Sequence, residues 1–191
     1  NTVTLVEALI DHFRATPEDV LAGIRLLLIP AANPDGLPHG RTAQGRMNAN
    51  GVDLNRNWGC GWSPEAVWRR TPVSPGTNAF SEPETLALAS FLRELRPAIA
   101  LFYHSAAAGI YIGDCGGPSE SIAEVLGEAT GYPHGRAFSA YPVSGTAASW
   151  ADGQGIASAD VELQSSTANE FERNLRGVMA LQAWLLELPA T

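Results

Sequence analysis

The stretch from Gly45 to Trp58 reads GRMNANGVDLNRNW and follows the tetrapeptide NPDG at residues 33–36. Asn, Pro, Asp and Gly each favour a bend, so NPDG predicts a turn. Arg46 and Arg56 then stand in a loop rich in Gly and Asn. The planar guanidinium of arginine suits bidentate binding of a carboxylate or an oxyanion. The composition leaves two interpretations open: an anion-binding loop, or a surface loop with two solvated arginines.

Helix and strand patterns alternate on both sides of this loop, which extends over about residues 31–81. Apolar spacing and capping residues predict helices over 3–14, 82–96 (capped by Ser81, with Glu84 three residues on), 119–129, 146–153 and 168–188. Short apolar runs predict strands at 24–29, 99–103, 110–112 and 157–163. This alternation predicts an α/β fold. At 191 residues, the chain is expected to form one domain over 1–191.

Three more residues stand where an α/β fold usually places its chemistry. His104 ends an apolar strand, and ligands of open α/β sheets bind outside the carboxyl ends of strands. Glu162 lies in another apolar strand, where a charged carboxylate is costly without a role or a partner, so it is a candidate general base. Tyr141 is on a Gly-bearing loop and could act as a mobile lid. The structural alternatives are a core histidine, a glutamate paired with an arginine, and a packed loop tyrosine.

The charge of the chain excludes several classes of protein. Its net charge is −8, and its 12 basic residues are all arginine. A protein that grips nucleic acid or an anionic membrane through a basic face is therefore not expected. No apolar run approaches the ~18–20 residues needed to cross a bilayer. The oligomeric state is left open.

The two cysteines, Cys60 and Cys115, lack the spacing of a redox or zinc-knuckle motif. Their spacing fits a disulfide in a secreted protein and two unrelated thiols equally well.

Taken together and in this order, the segments NPDG, GRMNANGVDLNRNW, AFSEPET, FYHS, YPVSGTAASW and ADVELQ resemble the zinc carboxypeptidases of the carboxypeptidase A type. The resemblance covers about residues 1–181 and implies a mixed parallel and antiparallel twisted sheet with helices on both faces.

The resemblance also implies a role for each candidate residue. Asn55 and Arg56 would bind the free C-terminal carboxylate of a peptide, and Arg46 would stabilise the oxyanion. His104 would be the third ligand of a zinc ion, Tyr141 the lid, and Glu162 the general base. The glutamates of SEPET, Glu82 and Glu84, are interpreted as charges at a helix N-terminus.

The sequence departs from this family at its other two zinc ligands. They form a His-x-x-Glu pair just before the first helix, and no such pair occurs in this chain. We therefore expect these ligands, and some strands of the sheet, to lie immediately before Asn1. The domain would then be incomplete at its N-terminus, and this chain alone should bind zinc poorly and be inactive.

The substrate is less well determined by the sequence. The position that helps to select the C-terminal side chain corresponds to Ala148, so a preference for Lys or Arg is not supported there. Two alternatives to a carboxypeptidase stay open: a murein-peptide amidase with the same motifs, and a zinc-less peptide-binding protein. Under the resemblance both cysteines flank one cleft, which favours a disulfide and a secreted or extracellular enzyme, with a cytoplasmic location as the alternative.

Overall fold

The computed structural model describes residues 1–40, 42–135 and 137–188. Residues 41, 136 and 189–191 of the predicted single domain lie outside the described part. The helices are α1 (Thr2–Ala15), α2 (Pro83–Leu95), α3 (Glu120–Thr130), α4 (Ala147–Gly153) and α5 (Phe171–Glu187). The strands are β1 (Ala66–Trp68), β2 (Thr71–Val73), β3 (Ile99–Ser105), β4 (Gly109–Ile112) and β5 (Ala157–Leu163).

The central sheet among the described residues has three strands in the order β3-β5-β4. β3 and β5 run parallel, with His104 opposite Glu162. β4 and β5 run antiparallel, with Tyr111 opposite Asp160. The predicted mixed α/β sheet is therefore confirmed, and the parallel pair brings two candidate site residues to the same edge.

Helices cover both faces of this sheet, as the resemblance implied. On one face, α1, α3 and α5 bury a core that contains Leu5, Leu126 and Leu181 against Val161 of β5. On the other face, α2 and α4 pack with Trp58 against the alternate residues of β3. Because successive side chains of a strand point to opposite faces, each strand supplies both cores.

The predicted strand at 24–29 is wrong. No strand is assigned there, and the segment has no ladder pairing among the described residues. Leu26 and Leu28 pack against the larger core, whereas Leu27 and Ile29 are 40% and 48% exposed. The run, which is apolar apart from Arg25, favours a buried strand, but only every second side chain is covered.

Two helix starts also differ from the predictions. Ser81 is not the cap of α2: the cap position is Glu82, and the Ser81 hydroxyl donates to the Glu82 carboxylate at 2.7 Å. α5 begins at Phe171 and not at Ala168, because the preceding residues form a loop that accepts side-chain hydrogen bonds from Asn1. The other predicted helices and strands agree with the structure to within about three residues at each end.

The long segment 31–81 is ordered by short elements that its composition did not reveal. It contains the hairpin of β1 and β2, with Arg69 at φ 59° in the turn, and several turns of 3-10 helix. The last of these turns, Leu54–Arg56, carries the candidate carboxylate-binding residues. No described helix is long and apolar enough to cross a membrane.

Cys60 and Cys115 form a disulfide, as the resemblance favoured. It joins the segment after Trp58 to the loop after β4, with the two Cα atoms 6.6 Å apart. Both cysteines are therefore consumed in one cross-link.

Reducing this disulfide, or replacing both cysteines by serine, is expected to lower the free energy of unfolding by up to about 4 kcal/mol. The bond closes a loop with a sequence separation of 55 residues, and a loop of that length gains roughly this much conformational entropy in the unfolded chain when it is released. Urea unfolding with and without reductant measures the difference. An unchanged midpoint in the serine variant would contradict the cross-link.

Candidate active site

The six predicted site residues border a single cavity of about 40 Å³ at the carboxyl ends of β3 and β5. They come from the segment 46–56, from β3, from the loop before α4 and from β5. The residues that line the cavity are Arg46, Asn55, Arg56, His104, Tyr111, Phe138, Tyr141, Val143, Thr146, Asp160 and Glu162. A more open depression at the start of α5 contains none of the six.

Asn55 and Arg56 lie in a short turn that is fixed by a side-chain cap and by contacts with the loop before α4. The Asp53 side chain accepts a hydrogen bond from the Asn55 amide at 3.1 Å and caps the short turn. The Asn55 side-chain oxygen accepts from the backbone of Ala147 at 2.9 Å. Gly145 has φ +57°, and a Cβ there would lie 2.5 Å from the Arg56 carbonyl oxygen. Only glycine fits this approach, which fixes the loop against the turn.

Arg56 is only 2% exposed, yet it borders the cavity. Its Nε donates to the carbonyl of Val67 at 3.2 Å and its Nη1 to that of Asn55 at 2.6 Å. Burial lowers the pKa of the Arg56 guanidinium, although the nearby Asp53 carboxylate opposes this shift. The remaining N–H donors of a charged, pre-oriented guanidinium suit a carboxylate ligand.

Arg46 is fixed by a carboxylate and by an aromatic ring. Its Nε and Nη2 donate to the two oxygens of Asp53 at 2.7 and 3.2 Å. Its guanidinium also lies over the Trp68 ring, 5.5 Å from the centroid. These contacts hold the Arg46 guanidinium in place at the cavity. Its side chain therefore does not have to become ordered when a ligand binds.

The loop that carries Arg46 is anchored on Glu82, a buried carboxylate. Glu82 accepts hydrogen bonds from the side chains of Asn48 and Asn50, both at 2.8 Å, and from Ser81. Burial raises the pKa of Glu82, but the three hydrogen bonds outweigh it, so the pKa is below its ordinary value. The sequence predicted that Glu82 is only a negative charge at a helix N-terminus. The structure shows that it also accepts hydrogen bonds that hold the loop of Arg46.

Replacing Glu82 by glutamine is expected to lower the free energy of unfolding at pH 7 by about 1.5–3 kcal/mol, the scale of a hydrogen bond to a charged group. Because the folded pKa lies below the ordinary 4.5, this stabilisation is present above pH 4.5 and is lost as the pH falls through the folded pKa. Thermal unfolding across pH 3–7 measures it. The exposed Glu94 on the same helix is the control, since E94Q should change little. Equal pH profiles of E82Q and wild type would contradict the role.

His104 lies with Nε2 3.2 Å from Oδ1 of Asp160 and 3.5 Å from Nδ2 of Asn55. Burial lowers the pKa of His104, but the carboxylates of Asp160 and Glu162 outweigh it and raise the pKa. His104 lies near the end of β3, as the sequence predicted, and is opposite Glu162 of β5.

Glu162 is half-buried, and its Oε2 accepts a hydrogen bond from the backbone N–H of Ala107 at 3.1 Å. Burial raises the pKa of Glu162, and the negative charge of Asp160 adds to this increase. A carboxylate with a raised pKa, at a cavity and without a salt bridge among the described residues, has the properties of a general base.

Tyr141 borders the cavity beside Arg56 and packs by its edge on Phe138, with 4.9 Å between the ring centroids. Phe138 packs in turn on Tyr111 at 5.2 Å. The predicted tyrosine is thus part of an aromatic wall of Tyr111, Phe138 and Tyr141. Whether it moves as a lid stays a prediction.

Sequence reasoning missed two acidic residues at the site, besides several uncharged residues of the cavity lining. Asp160 shares a face of β5 with Glu162, and the alternation in ASADVEL contains that signal, since residues two apart in a strand point the same way. Asp53, the partner of Arg46, had no such signal, because it precedes a turn whose shape the composition did not define.

Among the described residues that line this cavity, His104 is the one histidine, and its imidazole suits a zinc ligand. Over residues 1–40, 42–135 and 137–188, no group of three His, Cys, Asp or Glu side chains is arranged to hold a metal ion. The described residues therefore fit one ligand position of a zinc site but do not complete a site.

Residues 2–115 match the family model of peptidase family M14, described as zinc carboxypeptidase. This match covers more than half of the chain, so the chain belongs to the zinc carboxypeptidase family.

Two relatives represent the two activities named among the matches. Murein peptide amidase A of Escherichia coli (strain K12) is 37% identical over 93 residues, which are 44% of this chain and 37% of the amidase. A zinc carboxypeptidase of Simulium vittatum is 26% identical over 183 residues, which are 78% of this chain and 59% of that protein. The chain thus spans less than two thirds of the length of these curated relatives.

Solved structures agree with the fold. The crystal structure of the murein-tripeptide amidase of Escherichia coli O157 has a TM-score of 0.59 at 27% identity, over 85% of this chain and 68% of the amidase. Bovine thrombin-activatable fibrinolysis inhibitor, solved with a tick carboxypeptidase inhibitor, has a TM-score of 0.80 at 20% identity, over 97% and 77%. The second likeness concerns the fold alone.

Proposed function

We propose that the full-length protein is a zinc-dependent metallocarboxypeptidase that hydrolyses the bond before the C-terminal residue of a peptide. The observation that carries this proposal is the convergence of Arg46, Asn55, Arg56, His104 and Glu162 on one cavity. These residues come from segments far apart in the chain, and each has the chemistry that one step of such a reaction needs.

Asn55 and Arg56 are the carboxylate-binding pair in this proposal. The guanidinium of Arg56 is buried and already bonded to two carbonyl groups, so little entropy is lost when it binds a carboxylate. Demand for a free carboxylate at this position makes the enzyme cut only at the end of a chain.

Glu162 and Arg46 are the catalytic groups in this proposal. Glu162 takes a proton from the attacking water as the oxygen bonds to the carbonyl carbon, and passes that proton to the amine as the C–N bond breaks. Arg46, held by Asp53 and Trp68, faces the negative charge that develops on the carbonyl oxygen. Their presence at the cavity supports an enzyme over a zinc-less peptide-binding protein, which needs no base.

His104 would be one ligand of the zinc ion. A zinc ion with three protein ligands keeps an open position and lowers the pKa of its bound water to ~7. We propose that two further ligands complete the zinc site of the active enzyme. The isolated 191-residue chain is accordingly expected to be inactive.

A murein-peptide amidase is the second candidate, and its support is the similarity to two amidases of Escherichia coli at 37% and 27% identity. Both candidates act on a peptide with a free C-terminal carboxylate and use the same residues. The disulfide between Cys60 and Cys115 supports a secreted or extracellular location for either one.

The test uses the full-length, zinc-loaded protein with two substrates, an N-acylated dipeptide and the murein tripeptide L-Ala-γ-D-Glu-diaminopimelate. Mass spectrometry of the products identifies the bond that is cut. Release of the C-terminal residue from the dipeptide supports the carboxypeptidase, and cleavage after γ-D-Glu alone supports the amidase. Binding of both peptides without cleavage of either would contradict an enzyme.

A further inference from the structure

Asn57 directly follows the candidate carboxylate-binding residues Asn55 and Arg56, and the proposed reaction gives it no role. Its side chain is completely buried, at 0% exposed, and does not line the cavity. A buried amide group needs partners for its donors and its acceptor. The partners of Asn57 therefore show which parts of the chain it holds together.

The Asn57 side chain uses its whole hydrogen-bonding capacity to connect two other segments to its own turn. Its Nδ2 donates to the carbonyls of Pro75 and Asn78 at 2.7 and 3.0 Å. Its Oδ1 accepts from the backbone amide of Glu82 at 3.2 Å and from the hydroxyl of Thr85 at 2.6 Å. A primary amide can donate two hydrogen bonds and accept two, so these partners leave no capacity for a ligand.

The turn Leu54–Arg56 is too short to hold its shape alone. It is a single turn of 3-10 helix, and Asn55 inside it has non-helical dihedral angles of φ −86° and ψ 26°. The bond from the Asn57 amide to the Leu54 carbonyl is long, at 3.3 Å. Because the hydrogen bonds of 3-10 turns have poor geometry, contacts with other segments must fix such a turn. Asn57 provides these contacts at the end of the turn, as Asp53 does at its start.

The first turn of α2 contacts both segments that carry an arginine of the cavity. The carboxylate of Glu82 accepts hydrogen bonds from the loop of Arg46, through Asn48 and Asn50. The backbone amide of the same glutamate donates to Asn57, the residue after the turn of the second arginine. The start of α2 therefore fixes the position of one arginine segment relative to the other.

The packing around Asn57 leaves little room for another arrangement. Gly76 has φ +83°, and a Cβ at this position would overlap both the Asn57 Nδ2 and the Ser81 hydroxyl. Thr85 is 1% exposed. Since closely packed interiors transmit a displacement to their neighbours, a change at this point of α2 should shift the turn.

We propose that Asn57 is a positioning residue that fixes the direction of the Arg56 guanidinium. This inference rests on the proposed function, in which Arg56 binds the substrate carboxylate. Asn57 does not reach the cavity, so it acts only through the turn. A guanidinium that is already oriented loses little freedom on binding a carboxylate, and an error of about 1 Å in the position of such a group can cost up to about 10²-fold in rate.

The experiment measures kcat/KM of the full-length, zinc-loaded enzyme for one N-acylated peptide as the C-terminal acid and as the amide. N57S removes the connecting amide group. For N57S, kcat/KM for the acid should fall roughly 10- to 100-fold, mostly through KM, while kcat/KM for the amide changes less than about 3-fold. A loss confined to the acid is expected only if the carboxylate-binding arginine has moved.

A second pair of variants perturbs Asn57 from α2, with less risk to the fold. T85V replaces the hydroxyl that donates to Asn57 by a methyl group, and T85S keeps a hydroxyl there. T85V should lower kcat/KM for the acid by about 3- to 10-fold, the scale of one hydrogen bond, and T85S should be close to wild type. If N57S does not fold, this pair decides.

The matched control is N174A, because Asn174 is another buried asparagine, 1% exposed in α5 and outside the cavity lining. N174A should unfold at a lower temperature than wild type but keep the ratio of kcat/KM for acid to that for amide. All ratios are compared below the unfolding transition of each variant. A wild-type ratio in folded N57S or T85V, or an equal loss of the ratio in N174A, would overturn the inference.

A binding measurement separates this inference from the proposed function. Calorimetry with N-acetylphenylalanine and its amide measures carboxylate binding without any cleavage. If wild type cleaves no peptide, the proposed function fails, and a preference for binding the acid that decreases in T85V and returns in T85S still supports the role of Asn57. Equal affinities of wild type for the acid and the amide would overturn it.

Discussion

Replacing Arg56 by glutamine is expected to reduce kcat/KM for peptides with a free C-terminal carboxylate by about 10²- to 10³-fold. The loss follows from removing one partner of a desolvated charge pair while the substrate carboxylate still enters the site. Arg56 is 2% exposed and borders the cavity, so water cannot easily replace its guanidinium. Steady-state kinetics of the full-length, zinc-loaded enzyme measure the effect, and most of it should be in KM.

Arg56 also has a structural role that this experiment must separate. Its side chain bonds to the carbonyls of Val67 and Asn55, so R56Q should unfold at a lower temperature than wild type. Activity is therefore compared below the unfolding transition of the variant. The exposed Arg25 provides a control, since it is outside the cavity lining and R25Q removes the same charge, so kcat/KM should be unchanged. An active, folded R56Q with wild-type KM would remove Arg56 from the carboxylate-binding pair.

Replacing Glu162 by glutamine is expected to reduce kcat by roughly 10²- to 10⁴-fold, the usual contribution of a general base. The amide has nearly the same shape and can still accept the hydrogen bond from Ala107, so substrate affinity should change little. The pattern of low kcat with almost constant KM distinguishes this variant from R56Q. Rapid-quench kinetics with saturating substrate measure the chemical step directly.

The stability of E162Q provides an independent check. Burial and the charge of Asp160 raise the pKa of Glu162, so its ionised form destabilises the folded protein once the pH rises above the ordinary value of 4.5. E162Q should therefore be at least as stable as wild type at pH 7. The exposed Glu65 serves as the control for charge removal, and E65Q should retain full activity. If E162Q kept wild-type kcat, another residue would have to be the base.

The sequence predicted the site better than it predicted the chain around it. Residues that carry chemistry stand in short, specific segments, and the strand ends bring His104 and Glu162 together through simple parallel pairing. Asn55 and Arg56 were predicted from the resemblance, and the structure places them at the same cavity. Their specific roles remain proposals.

The parts that were missed depend on tertiary contacts. The segment 24–29 has the composition of a strand, but a strand needs a neighbour for its ladder, and no described residue provides one. The loop 31–81 is ordered by the buried carboxylate of Glu82, which accepts hydrogen bonds from Asn48 and Asn50, 34 and 32 residues earlier in the chain. The local hairpin of β1 and β2 orders it further. Asp160 was visible as an alternating residue, but its place on the cavity floor required the register with β4.

The most direct test of the account is the ratio of kcat/KM for one N-acylated peptide with a free C-terminal acid to that for the same peptide with a C-terminal amide. The full-length, zinc-loaded enzyme should favour the acid by at least about 10²-fold, because Asn55 and Arg56 bind a negative charge that the amide lacks. Equal rates for acid and amide would contradict the assignment of this cavity to an enzyme that removes C-terminal residues.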